Sequence, residues 1–106
     1  MNEAEDYYRK SLELDPGNPY RINELAWFLI DNDINVDEGI EILDKAIELM
    51  PDSWFVLDTK GWGLHKQGKY QEARELIEKA WELKPLYDHS TFTHIQEVKK
   101  KLASQT

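Results

Sequence analysis

Three proline-terminated runs do most to limit how this chain can fold. Leu14-Asp15-Pro16, Leu49-Met50-Pro51 and Leu83-Lys84-Pro85 each close an apolar-periodic stretch, and the prolines stand 35 and 34 residues apart. The text upstream repeats as well: Arg9-Lys10-Ser11-Leu12-Glu13-Leu14, Asp44-Lys45-Ala46-Ile47-Glu48-Leu49 and Glu78-Lys79-Ala80-Trp81-Glu82-Leu83. A second anchor set, Glu24-Leu25-Ala26-Trp27 against Thr59-Lys60-Gly61-Trp62, has the same 35-residue spacing. Two independent anchors on one period mean a stack of supersecondary units, each covering the apolar face of the next.

Each period reads as two amphipathic helices. Ile22, Leu25, Ala26, Leu29 and Ile30 recur at helical spacing, as do Ile40, Leu43, Ala46 and Ile47; Leu57, Gly61 and Leu64, then Ala73, Leu76, Ile77, Ala80 and Leu83, repeat the pair. Asn18-Pro19 is an N-cap with proline at the first helical position. Asn35-Val36-Asp37-Glu38 has capping-box spacing, and Gly68 suits a left-handed C-cap. The pattern predicts helices near 3–14, 19–32, 37–49, 53–67, 70–83 and 89–102, with no strand. Phe92, Ile95, Val98 and Leu102 give the last helix one apolar stripe under a polar exterior, as a terminal cap requires, and Asp88 or Ser90 can cap its start. Ala26, Gly61, Ala73, Ala46 and Ala80 stand where helices approach closely. Gly63 has no role legible in the sequence.

The 106 residues carry 21 Asp plus Glu against 13 Lys plus Arg, a formal charge of −8. That sign excludes nucleic acid and anionic membrane surfaces as default partners, since both need a cationic face. The charge is uneven: residues 1–53 hold fourteen acids and four bases, and residues 54–106 seven acids and nine bases. No apolar run of about 18 residues offers a membrane span. The acidic opening Met1-Asn2-Glu3-Ala4-Glu5-Asp6 lacks the form of a signal peptide, so a cytoplasmic location is expected. There are no cysteines, and hence no disulfide, thiolate metal site or thiol nucleophile.

No cofactor or metal site is expected. His89 and His94 are five apart on a helix and point away from each other, and His65 belongs to another repeat. Asp31-Asn32-Asp33-Ile34-Asn35-Val36-Asp37 lacks the central glycine and closing glutamate of a calcium loop. Ser11, Ser53, Ser90 and Ser104 occupy no nucleophile elbow, and no glycine-rich phosphate loop is present. The reading is of a chain that is not an enzyme.

Gly61, Lys66-Gln67-Gly68-Lys69-Tyr70, Ala73, Lys79-Ala80 and Pro85 resemble the tetratricopeptide repeat (TPR) family: its small first-helix residue, inter-helix turn, small second-helix residues and terminal proline. Residues 19–51 match through Ala26, Ala46 and Pro51, with Gly39 where alanine is usual and about one extra residue in the Asp31–Val36 turn. Residues 2–16 resemble only the second helix of a repeat, with Ala4, Ser11 and Pro16 at its marked sites. The resemblance implies an all-α right-handed solenoid of antiparallel helix hairpins, about two and a half repeats plus a C-terminal capping helix. Its expected parts are 1–17 (second helix of a truncated repeat), 18–52, 53–86, and 87–106 (capping helix and tail), so the chain reads as a cut through a longer array.

The resemblance further implies a concave groove, lined by first helices, that binds a peptide or partner helix. On this chain those positions are Tyr20, Asn23, Glu24, Trp27, Phe55, Asp58, Thr59, Trp62, Lys66, His89, Phe92 and Gln96. Trp27 and Trp62 either line that groove or pack on the adjacent helix; Trp54 and Trp81 read as packing. Some family members hold a C-terminal Glu-Glu-Val-Asp tail with a cationic clamp. Here Asn23 alone matches in type, among Glu24, Phe55, Asp58, Thr59, His89 and Thr93, so such a tail is not expected. The function read is a non-catalytic protein-binding scaffold with a protein or peptide partner. Two alternatives stand beside it: a head-to-tail self-assembly element associating through the uncapped N-terminal end, or the non-catalytic C-terminal appendage of a larger enzyme.

Overall fold

The computed structural model describes residues 3–84 and 89–105. It holds helices α1 (Glu3–Leu14), α2 (Pro19–Asp31), α3 (Val36–Leu49), α4 (Trp54–Lys66), α5 (Tyr70–Leu83) and α6 (His89–Gln105), and no strand among the described residues. Local chemistry sets the ends. Asn18 caps α2 by accepting the Tyr20 N–H at 2.9 Å. Gly68, at φ +84°, stops α4: its N–H donates to the His65 carbonyl at 3.0 Å and the Lys69 N–H to that of Leu64 at 2.9 Å. Thirty-five residues earlier Asp33, at φ 54°, stops α2 with the same pair of bonds, to Ile30 and Leu29. The α2–α3 turn has four residues and the α4–α5 turn three, which is the extra residue expected.

Only half of the expected capping box forms. Asn35 Oδ1 accepts the Glu38 N–H at 3.0 Å, but the Asn35 N–H donates to the Leu29 carbonyl. The Glu38 carboxylate does not return to it because it takes both terminal nitrogens of Arg9, each at 2.9 Å. Asp88 and the terminal Pro85 lie outside the described residues, as does the side chain of Ser90.

Each helix packs on the next in sequence, and α2 also packs on α4, and α4 on α6. The first helices thus lie side by side, whereas the backbones of α1, α3 and α5 stay apart, α1 reaching α3 through the long Arg9 and Glu38 side chains. That asymmetry bends the solenoid with α2, α4 and α6 on the inside. Close approach within a hairpin needs a glycine, and the two hairpins place it on opposite helices. A Cβ on Gly39 of α3 would sit 2.6 Å from Ile30 Cγ1 and 3.1 Å from the Ala26 carbonyl oxygen. On Gly61 of α4 it would sit 2.5 Å from Ile77 Cγ1 and 3.2 Å from the Ala73 oxygen. Gly63, unexplained by sequence, is the contact between hairpins, where a Cβ would meet Ile40 Cγ1 at 2.7 Å and Ile30 Cδ1 at 3.1 Å.

Buried clusters fill the interior: Ile22, Ala26, Ile30, Leu43, Ala46 and Val56, then Leu64, Ala73, Ile77, Ile95 and Val98. By contrast, α1 buries no residue fully. It is held by Leu12, the Tyr8–Phe28 ring contact at 5.2 Å, the Arg9–Glu38 pair and a 2.8 Å bond from Arg21 to the Ser11 carbonyl.

Candidate functional site

Helical spacing places Tyr20, Asn23, Glu24 and Trp27 along one side of α2, and Phe55, Asp58, Thr59, Trp62 and Lys66 along one side of α4. Since α2 and α4 are neighbours on the inside of the bend, the two rows meet. At one end the Tyr20 and Phe55 rings stack, 5.2 Å apart and 19° from parallel. At the other, Trp62 Nε1–H donates to Asp31 Oδ1 at 3.3 Å. Lys66 Nζ donates to the Asp31 carbonyl and to Asp33 Oδ1, both at 3.0 Å, and lies 5.6 Å from the Trp62 ring. The cation of this row is therefore occupied by the α2–α3 turn.

Not every expected groove residue offers a free surface. Thr59 is 3% exposed and its hydroxyl donates to the Phe55 carbonyl at 2.8 Å, so it serves the wall. Asp58 is 6% exposed, and its Oδ1 lies 3.1 Å from Nδ1 of His94. Tyr20 and Glu24 are exposed, Trp27, Phe55, Trp62 and Lys66 half-buried. Asn23 Oδ1 is buried and accepts no hydrogen bond. The side chains of His89 and Phe92 lie outside the described residues.

On α6 the residue that meets the tryptophans is His94, which the sequence reading weighed only as a metal ligand. Its ring stacks on Trp62 at 4.4 Å and 10°, and approaches Trp27 at 5.7 Å. Trp62 also stacks with His65 at 5.0 Å, and His65 meets Tyr70 at 5.1 Å. Burial holds the His65 imidazole below its ordinary value of 6.5. Gln96, expected on the groove, is exposed on the side of α6 that faces α5. It lines a notch of about 280 Å³ with Glu78, Trp81, Glu82, Ile95 and Lys99, between α5 and α6. The reason is angular: Ile95 is buried, and residues on either side of it project about 100° to opposite flanks. One flank faces the inner side of the bend, and it carries His94.

Among the described residues no group of three or more His, Cys, Asp or Glu could hold a metal ion. No described helix is long and apolar enough to cross a membrane. What the inner face presents is aromatic surface, hydrogen-bonding side chains and exposed carboxylates.

The family model of the tetratricopeptide repeat matches residues 1–18 and 57–85. A TPR repeat-containing protein of Pseudomonas aeruginosa is 33% identical over 83 residues, which are 78% of this chain and 14% of that protein's length. An uncharacterized protein of Methanocaldococcus jannaschii is 33% identical over 78 residues, 71% of this chain and 69% of that one. Among solved structures, the first TPR of Spaghetti (RPAP3) bound to the HSP90 peptide SRMEEVD aligns with a TM-score of 0.79 at 22% identity, covering 95% of this chain and 79% of that chain. At that identity the likeness concerns the fold.

Proposed function

This chain belongs to the tetratricopeptide repeat family, and from that premise we propose that its inner face is a non-catalytic receptor for an apolar or mildly basic peptide segment or partner helix. The observation that carries the reading is the pair Trp27 and Trp62. They stand 35 residues apart at equivalent places, each half-buried on adjacent first helices. Rigid aromatic surface at low entropic cost is the usual source of interface energy. Glu24 is exposed beside Trp27, and Asp31 beside Trp62.

Charge argues against an acidic tail as the ligand. The TPR of known structure cited above is bound to an HSP90 peptide rich in acids. Here Asn23, Glu24, Phe55, Asp58 and Thr59 fill α2 and α4, and Lys66 is engaged by Asp31 and Asp33. Titration with apolar-basic peptides, followed by NMR, tests the reading. Trp27→Ala and Trp62→Ala should each weaken binding about tenfold, or about 1.4 kcal/mol, and Glu41→Ala on exposed α3 should leave it unchanged. Shifts confined to the outer faces of α3 and α5 would contradict it.

A second reading, self-association, is favoured by one observation. On α1 Leu14 is 83% and Tyr7 62% exposed, beside acids, while α6 displays exposed Lys99, Lys100 and Lys101. Light scattering that detects only monomer at low salt and high concentration would end it.

A further inference from the structure

We infer that the buried Asp58–His94 pair is the positioning element of the inner face: it locks α6 in register and fixes the plane of Trp62, without itself touching a ligand. The inference rests on reading that face as a binding groove. Asp58 and His94 are 6% and 8% exposed, so neither presents a surface to a partner. Their 3.1 Å contact joins α4 to α6 across 36 residues of sequence. The same imidazole lies against Trp62 at 4.4 Å and reaches Trp27 at 5.7 Å.

Apolar packing alone does not supply this lock. Ile95 and Val98 hold α6 against the Leu64, Ala73 and Ile77 cluster, but apolar burial is non-directional. A buried carboxylate does not, because it loses far more when unpaired than it gains over an apolar isostere when paired. Asp58 therefore makes wrong registers of α6 costly, and His94 converts the right one into a fixed wall beside Trp62. Trp62 is then held by the His94 ring from α6, by the His65 ring of its own helix and by its Nε1–H bond to Asp31.

The test separates hydrogen bond from ring. Asparagine places its Nδ2 near the position of the imidazole Nδ1, whereas phenylalanine keeps a ring and removes the donor. His94→Phe should expose α6 amides to faster hydrogen exchange and weaken an apolar-basic peptide about tenfold. His94→Asn should keep α6 protected yet weaken the peptide, because it restores the hydrogen bond without the ring that holds Trp62; a purely structural role would leave affinity unchanged once α6 protection is kept. The double variant Asp58→Leu/His94→Phe removes both polar partners and should recover α6 protection and most of the affinity. A pair that contacted ligand would leave the double variant unable to bind, and unchanged exchange in His94→Phe would equally overturn the inference. If no peptide perturbs Trp27 or Trp62 in the unaltered chain, the groove reading fails instead, and α6 exchange still decides whether the pair is a lock.

Discussion

At the scale of single residues, backbone conformation and close approach decide most positions. Asp33 and Gly68 do the same work, each ending a first helix with a positive φ and the same two bonds. Glycine adopts that conformation freely and aspartate at a cost. Asp33→Gly should raise stability by up to about 1 kcal/mol, or several degrees in Tm, since the ion pair it removes is solvent-screened on the aspartate side and Lys66 keeps its bond to the Asp31 carbonyl. Gly68→Ala should lower it by about 1 kcal/mol. Paired thermal melts check both, and equal shifts of one sign would refute the account. Gly68 was legible as a cap because glycine after a polar run signals one. Asp33 was not, for the surrounding acids suggested only a polar turn. Gly63 was illegible for a different reason: what it avoids, Ile40 and Ile30, belongs to the other hairpin.

At the scale of elements, the helix positions were readable from periodicity, and the way each docks was not. The apolar stripe of α6 was visible through Ile95, Val98 and Leu102. Which flank meets the tryptophans depends on the approach of α6 to α5, so the contact of His94 with Trp62 was not legible in the sequence. Because α1 buries no residue fully, the polar part of its attachment carries weight and makes it dependent on pH. Hydrogen bonds from Arg9 hold the Glu38 carboxyl below its ordinary value of 4.5. The stability this adds is present above that value and is lost as pH falls through the lower folded one. Hydrogen exchange should therefore show α1 amides losing protection in that acid window ahead of α3 amides, and Arg9→Met should weaken α1 protection at all pH and remove this acid-dependent loss. His65 titrates in a separate window. Burial lowers its folded value, so the unfolded chain binds the proton more readily. The contribution is complete above pH about 6.5 and is lost as pH falls through the folded value. Melts of the chain and of His65→Phe should diverge there, with the variant less sensitive to acid; parallel curves would contradict this.

At the scale of the whole molecule, side-by-side packing of α2, α4 and α6, without matching backbone approach among α1, α3 and α5, produces the inner face. The 35-residue repeat of Trp27 and Trp62 then becomes a physical array. The repeat was the easiest feature to read from sequence because it recurs, and the His94 contact the hardest because it occurs once, across helices. Part of the acidic surplus falls on this face: exposed Glu24 and Asp31 stand beside the aromatic row while its lysine is engaged. Charge discrimination by that face is the central claim, and one calorimetric comparison tests it most directly. An apolar-basic peptide and an acidic peptide ending in Glu-Glu-Val-Asp are titrated into the same chain at low and physiological salt. The account predicts measurable binding of the basic peptide that weakens with salt, and none of the acidic one. Tighter binding of the acidic peptide would contradict it.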